Sequence, residues 1–435
     1  MIIPAKRLFL LLGLLALLAI VTILYPPWRD YWWLLLIIAS LPVLVDAGRL
    51  FQPLKLQAQR HVDSSLAQGV WHDIEIKLTS THSAPLILEI FDHLPADFKF
   101  RHLPRKTTLP PNQVVTIRYP VQPQQRGEKR FQQIQLRQQS PFGFFQRNHL
   151  IGNSSPCRVY PDFSAVSQYA LLAQAHHSGQ LGIIKKRRRG EGQDFHQLRE
   201  YHPGDPLRQI DWNASARLRK LISREYQDER DQEIIFLIDC SHRMRTHDGE
   251  RSHFDHTLNA VLLLSHIALH QGDAVGLSTF SGTDRWQKPM KGLRTLNQIL
   301  NLIYDLEPSQ QPPDYATGAT QLLARHKKRA LIMIITNVRD EDSSDLRSAL
   351  LLLKKRHLVV LASMQEQALS EAITHPVHNH EDALRVAATH HYLSQRHHAF
   401  DRLTASGAIC LDCTPKDLPV TLVNRYLDIK RAGQL

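Results

Sequence analysis

The chain is poor in the groups that carry covalent chemistry. Only four cysteines occur in 435 residues, Cys157, Cys240, Cys410 and Cys413. They are too few and too scattered for a disulfide framework, which suits a reducing compartment. No phosphate-cradling G-x-x-x-x-G-K-[ST] loop is present, so the chain is not expected to hydrolyse nucleotide by itself. No G-x-S-x-G and no H-E-x-x-H occurs, which removes the nucleophile-elbow hydrolases and the helix-borne zinc proteases. Internal repeats and a low-complexity tail are also missing. At this length the chain should hold two or three domains.

What the sequence does have begins with two apolar runs. Leu8 to Tyr25 carries no charge. At roughly 1.5 Å per residue, a helix of that length nearly crosses a ~30 Å hydrocarbon core. A tight turn, Tyr25-Pro26-Pro27-Trp28-Arg29-Asp30, leads into a second run from Tyr31 to Val45. That run is shorter and contains Pro42, which makes it the weaker span, although proline is tolerated in membrane helices. Trp28, Tyr31, Trp32 and Trp33 cluster where an aromatic belt would lie. A cleaved signal peptide is the alternative. It is disfavoured because the first run exceeds a typical signal core, no small-x-small site follows it, and a second apolar run does. Lys6 and Arg7 precede the pair, Arg49, Lys55 and Arg60 follow it, and Arg29 lies between. The positive-inside rule then places both ends and the bulk of the chain in the cytoplasm.

From about residue 52 to 160 the apolar pattern has period two: Ile74, Ile76, Leu78; Leu86, Leu88, Ile90; Val115, Ile117, Tyr119; Ile134, Leu136. Short alternating strands at this spacing predict a small β-sandwich-like domain. Residues 164–180 read as a helix. Lys185 to Arg189 form a basic run, and the formal net charge of the chain is +12. Such a run binds nucleic acid or anionic lipid, or is a solvated loop. Its shortness and the lack of interleaved aromatics favour the solvated loop. Lipid ranks above nucleic acid beside a membrane, and no specific nucleic acid is expected.

From Gln232 onward, strand and helix patterns alternate. Strands are expected at 234–238, 274–280, 330–335, 358–362 and 408–411. Helices are expected around Phe254, Leu258, Val261 and Leu262 and at 293–306, 317–325, 381–403 and 418–430, with one more capped by Ser343 or Ser344. This alternation predicts a mainly parallel sheet covered on both faces. Ligands on such sheets sit at the carboxyl ends of the strands, where Asp239 and Asn337 fall. Domain boundaries are expected at 1–51 for a two-helix transmembrane anchor, 52–162 for the β-domain, 163–231 for a linker and signature segment, and 232–435 for the α/β domain.

The signature segment packs Arg199, Asp205, Arg208, Asp211, Trp212 and Arg217 into a short span. One reading is a docking or anion-binding surface, because arginine presents a fork suited to carboxylate or phosphate. The other is a network of ion pairs locking the segment onto the α/β domain, with Trp212 packed against the sheet. The balance of opposite charges favours the second. Asp205 and Asp211 as an acid/base pair is disfavoured, since no nucleophile lies near.

Gly192, Asp194-Phe195, Leu198-Arg199-Glu200-Tyr201, Pro203-Gly204-Asp205, Arg208, Ile210-Asp211-Trp212 and Ser215-Ala216-Arg217, with the strand to Asp239, resemble the bacterial family called domain of unknown function 58. The order of spans, β-domain, signature and α/β half agrees over essentially the whole chain. The resemblance implies a multi-domain protein of the inner (cytoplasmic) membrane, multi-pass and without enzymatic activity. Its C-terminal domain would be von Willebrand factor A-like (Rossmann-type) and would present Asp239, Ser241 and Thr320 at its strand ends to a protein partner, a MoxR-type AAA+ ATPase. Together they would assemble or activate envelope or metal-containing complexes.

Von Willebrand A domains often hold a divalent metal through Asp-x-Ser-x-Ser, a Thr and a further Asp. Here Asp239 and Ser241 match, Arg243 stands for the second Ser, Thr320 supplies the Thr, and Asn337 replaces the Asp. The expectation is a degenerate site whose only candidate ion is Mg2+, a hard cation that wants oxygen ligands, or a vestigial loop with Arg243 paired to Asp239. A metal-dependent enzyme at these loops is the alternative activity. Cys410-x-x-Cys413 ends a strand rather than opening a helix, so it is read as incidental. His375, His378 and His380 with Glu381 read as a polar loop rather than a metal site. His390, His391, His397 and His398 read as surface or packing residues of a helix.

Overall fold

The alternating residues of the N-terminal part form mainly antiparallel sheets that share one core. The computed structural model describes residues 2–51, 54, 56–82, 84–162, 194–202, 207–227, 232–374 and 376–434. The chain divides into two units, 1–162 and 163–435.

In the first unit, a five-stranded sheet runs in the order Ile2–Pro4, Phe145–Ile151, Ile134–Gln139, Leu86–Asp92, Arg105–Leu109. A four-stranded sheet runs Leu56–His61, His72–Ser80, Val114–Pro123, Phe98–Phe100. A smaller sheet joins Ser65–Ala67, Ser155–Tyr160 and Gly127–Phe131. Leu88, Ile90 and Leu136 from the first sheet and Ile76, Leu78 and Tyr119 from the second lie fully buried in a single cluster. Every second residue points inward, as the period requires. A buried ion pair enters this core: Asp92 accepts from Arg60 Nε at 2.8 Å and from the Tyr119 hydroxyl. Burial and then the Asp92 carboxylate push the Tyr119 phenol far above its usual range.

Two helices, Lys6–Leu24 and Arg29–Leu50, belong to the same unit. The Trp32 indole donates to the Leu15 carbonyl at 3.4 Å. The second helix continues through Pro42 and past the apolar run to Leu50. Among the described residues it is this helix, over Tyr31–Leu50, that is long and apolar enough to cross a membrane, so the run that looked weaker in sequence is the stronger candidate. Its fully buried Asp46 accepts from the Ser140 hydroxyl at 2.5 Å and from the amides of Phe142 at 2.9 Å and Phe144 at 3.0 Å. Arg147 donates to the Leu50 carbonyl at 2.6 Å. Ahead of the first helix, Ile2–Pro4 pairs with the strand that begins at Phe145, and the Ala5 amide donates to the Phe144 carbonyl at 2.8 Å. Both ends of the helical pair are thus fastened to one turn of the sheet.

The second unit holds a six-stranded sheet in the order Trp286–Met290, Ala274–Phe280, Glu233–Asp239, Leu331–Thr336, Leu358–Met364, Ile409–Cys413. All neighbours are parallel except the edge strand Trp286–Met290. The central strands are buried on both sides, so they read as continuous apolar runs rather than alternations. Ile234, Phe236 and Ile238 share one core with Phe254 and Leu258 of helix His253–His270 and with Leu422 and Tyr426 of helix Leu418–Arg431. Ile235 and Leu237 share the other with Leu322 of Tyr315–Arg325, Leu350 of Ser343–Lys354 and Leu403 of His380–Ala405. The chain leaves Glu233–Asp239 toward one edge and later returns to Leu331–Thr336 on its other side. The loops after these two strands therefore diverge and open a crevice at their carboxyl ends.

Candidate functional site

Asp239 ends its strand at that crevice, fully buried. Its Oδ1 accepts from the Ser241 amide at 2.8 Å and its Oδ2 from the Thr336 hydroxyl at 2.6 Å. The Tyr315 hydroxyl lies 3.1 Å from that of Thr336. Burial raises the Asp239 carboxyl above its ordinary range, against the hydrogen bonds from Thr336 and Ser241. Burial and then the charges of Asp239 and Asp342 raise the Tyr315 phenol, while Arg243 acts the other way. Asp239, Tyr315, Thr336, Asp342 and Arg243 thus act on one another at the strand ends.

The structure corrects three expectations about the metal ligands. Thr320 is not at the crevice: helix Tyr315–Arg325 starts two residues earlier than the sequence reading, and Thr320 is exposed in its second turn, donating to the Ala316 carbonyl at 2.8 Å. Tyr315 and Thr336 stand at the pocket instead. Arg243 does not pair with Asp239. Its Nη2 reaches Asp342 at 2.9 Å and Glu341 at 2.5 Å, tying the loop after the first strand to the loop after the fourth. Asn337 is fully buried and committed elsewhere: its amide donates to Glu366 at 3.0 Å and its oxygen accepts from Arg396 at 3.3 Å.

Arg396 was not singled out in the sequence. It is 2% exposed and also donates to the Val338 carbonyl, Ser363 Oγ at 2.8 Å, the Met364 carbonyl at 3.1 Å and Asp412 at 2.6 Å. It closes the carboxyl ends of the last three strands. Nothing in the local sequence marks it, since its partners lie 16 to 59 positions away.

Magnesium does not suit this pocket. It needs near-octahedral oxygen ligands and keeps several waters. Both carboxylate oxygens of Asp239 already accept hydrogen bonds, and the same loop buries the guanidinium of Arg243, a cation, rather than a further oxygen donor. Among the described residues no group of three or more His, Cys, Asp or Glu side chains is arranged to hold a metal. His375 and the basic run Lys185 to Arg189 lie outside the described residues. Cys410 and Cys413 are raised by burial, Cys413 to about 12. Such thiols stay protonated and do not form a reactive pair.

In the signature segment, strand Asp194–Glu200 pairs antiparallel with Ile222–Gln227. Between them lies the short helix Trp212–Leu218, capped by Asp211, which accepts from the Ala214 amide at 3.0 Å. Arg224 donates to the same carboxylate at 2.9 Å. The Ala214 amide first, and then Arg224, hold the Asp211 carboxyl below its usual range. Buried Ser215 accepts from the Ile222 amide at 2.8 Å. Asp211 is therefore a cap. Asp205 lies outside the described residues, and the side chain of Arg208 is not described. Arg199 donates to the Glu200 carbonyl at 3.1 Å. Trp212 does not anchor against the sheet: it is 67% exposed. Leu207, Leu218 and Leu221 are exposed in the same segment, beside exposed Arg217, Arg219 and Lys220.

Residues 197–403 match the family described as Protein of unknown function DUF58. The match is narrower than the whole-chain extent expected from the sequence. The chain is also similar to the uncharacterized protein YeaD of Bacillus subtilis (strain 168), 23% identical over 165 residues, which is 38% of this chain and 39% of that protein. It thus spans well under half of that relative. Among solved structures, alpha-2-macroglobulin of Salmonella is 18% identical over 24% of this chain and 7% of its own, with a TM-score of 0.20. The cupredoxin domain of amoB from Nitrosocaldus yellowstonii is 11% identical over 26% of this chain and 91% of its own, with a TM-score of 0.19. Likenesses this slight bear on neither fold nor function.

Proposed function

We propose that the chain is a membrane-anchored, non-enzymatic adaptor that docks a protein partner through its signature segment. The carrying observation is the surface of that segment. Leu207, Trp212, Leu218 and Leu221 are 71%, 67%, 58% and 47% exposed within fifteen residues. Large apolar side chains gathered in the open mark interaction sites. Tryptophan beside arginine is the composition of binding hot spots.

The family resemblance suggests the partner, a MoxR-type AAA+ ATPase, which would supply the energy this chain has no loop to harvest. The joint task would be assembly or activation of envelope or metal-containing complexes. The parallel sheet covered on both faces supports a von Willebrand factor A-like reading of the second unit. The anchor would be a helical hairpin at the bacterial inner membrane. Three observations support it: exposed Leu10, Leu17, Leu41 and Leu44 around the two helices, their ends fastened to one turn, and the basic residues flanking them.

The test is capture from bacterial membranes with the full chain as bait. An AAA+ ATPase should be enriched, and the double variant Trp212→Ala, Leu207→Ser should lose it without a change in thermal stability. Repeated absence of such an ATPase, or undiminished capture by the double variant, would refute the reading.

A further inference from the structure

The crevice at the carboxyl ends of strands Glu233–Asp239 and Leu331–Thr336 carries a charge of its own. Arg243 sits on the first loop, 4% exposed, although nothing in the short run Ser241-His242-Arg243 pairs with it. Its acidic partners come from the opposite loop, 98 and 99 positions further on. Asp342 is nearly buried, while Glu341 is mostly exposed and closes the outer side. The remaining donors, Nε and Nη1, are buried without a partner, as is the Ser241 hydroxyl beside them in the chain. Asp239 is satisfied by Ser241 and Thr336 and needs no cation to be held in place.

We infer that Arg243 is a resident cation that closes this crevice and takes the place of a divalent ion, so that the site binds no metal. A single positive charge bridges the two loops, which is the structural task an ion would perform there. The buried, unpartnered N–H groups keep positive charge at the strand ends and repel a second cation. A guanidinium stays charged at every accessible pH, so the bridge depends on neither metal supply nor chelators. This inference stands apart from the proposed docking role, since it concerns the strand ends and not the signature segment.

The experiment uses the purified full chain in detergent. Isothermal titration with Mg2+ and Mn2+ should give no saturable binding, and neither ion should raise the melting temperature. Arg243→Met, which keeps the bulk and removes the charge, should lower the melting temperature by about 5–10 °C, because it leaves a buried carboxylate unpaired. Arg243→Lys should restore part of that loss. Saturable Mn2+ binding by the unaltered chain that disappears in Asp239→Asn would overturn the inference. An Arg243→Met chain as stable as the parent would overturn it as well. Should Arg243→Met fail to fold, the titration of the unaltered chain and the Arg243→Lys comparison decide the matter alone.

Discussion

At the residue scale, Asp239 is a structural carboxyl rather than a ligand. Replacing it with alanine leaves the Ser241 amide buried without an acceptor and the Thr336 hydroxyl with Tyr315 as its remaining partner. An orphaned amide costs about 1–3 kcal/mol, so Asp239→Ala should lose roughly 1–3 kcal/mol in denaturant unfolding of the full chain. Asp239→Asn keeps an acceptor for Thr336 and should lose less. A second prediction concerns acid. Burial first, then Arg251, lowers His256 from 6.5 to about 4. Burial likewise lowers His253, His266 and His357. Below 6.5 the unfolded chain takes up protons that these folded histidines refuse. Their stabilisation is complete above 6.5 and is lost as the pH falls toward 4. A pH series of unfolding curves should show that slope, and His256→Gln should flatten it. The sequence placed Asp239 and Asn337 at the strand ends correctly, because an apolar run that stops at a polar residue marks its own end. It did not reveal their roles. The partners of Arg243 and Arg396 sit tens of positions away, and no local pattern encodes such distances.

At the element scale, long apolar runs were the most legible. Ala274–Phe280 falls exactly where it was expected, and the other parallel strands shift by one or two residues. Several elements are not legible in the sequence, among them two of the second unit. The edge strand Trp286–Met290 holds Gln287, Lys288 and Pro289, which suit an edge and resemble a loop. Helix Gln367–Thr374 is short and has no buried residue. Thr320 was misplaced because spacing alone does not fix where a helix begins: the Asp314 cap starts it at Tyr315. In the sequence Asp46 only follows the apolar run Tyr31 to Val45, yet it joins helix Arg29–Leu50 to the sheet. Asp46→Ala removes the acceptor of three donors. It should raise amide exchange at Phe142 and Phe144 well above that of the β-core and leave the exchange of Ile76 and Leu88 unchanged. Equal exchange at Phe142 and Phe144 in the variant and the parent would show that the helix is held by other contacts.

At the scale of the whole molecule, the family segment carries two kinds of surface. The strand ends are closed by internal hydrogen bonds and buried arginines. The signature segment instead leaves apolar side chains in the open, and it is there that a partner would bind. The sequence offered both docking and locking for the signature and leaned toward locking. The exposure of Trp212 reverses that preference, because charge counts say nothing about which way a side chain faces. The most direct test is photo-crosslinking in living cells from a reactive amino acid placed at position 212 of the full chain, with position 351, an exposed leucine of helix Ser343–Lys354, as the comparison. A covalent adduct with an AAA+ ATPase from 212 and none from 351 is the expected result. A folded, membrane-inserted chain that gives no protein adduct from 212 would contradict the docking role.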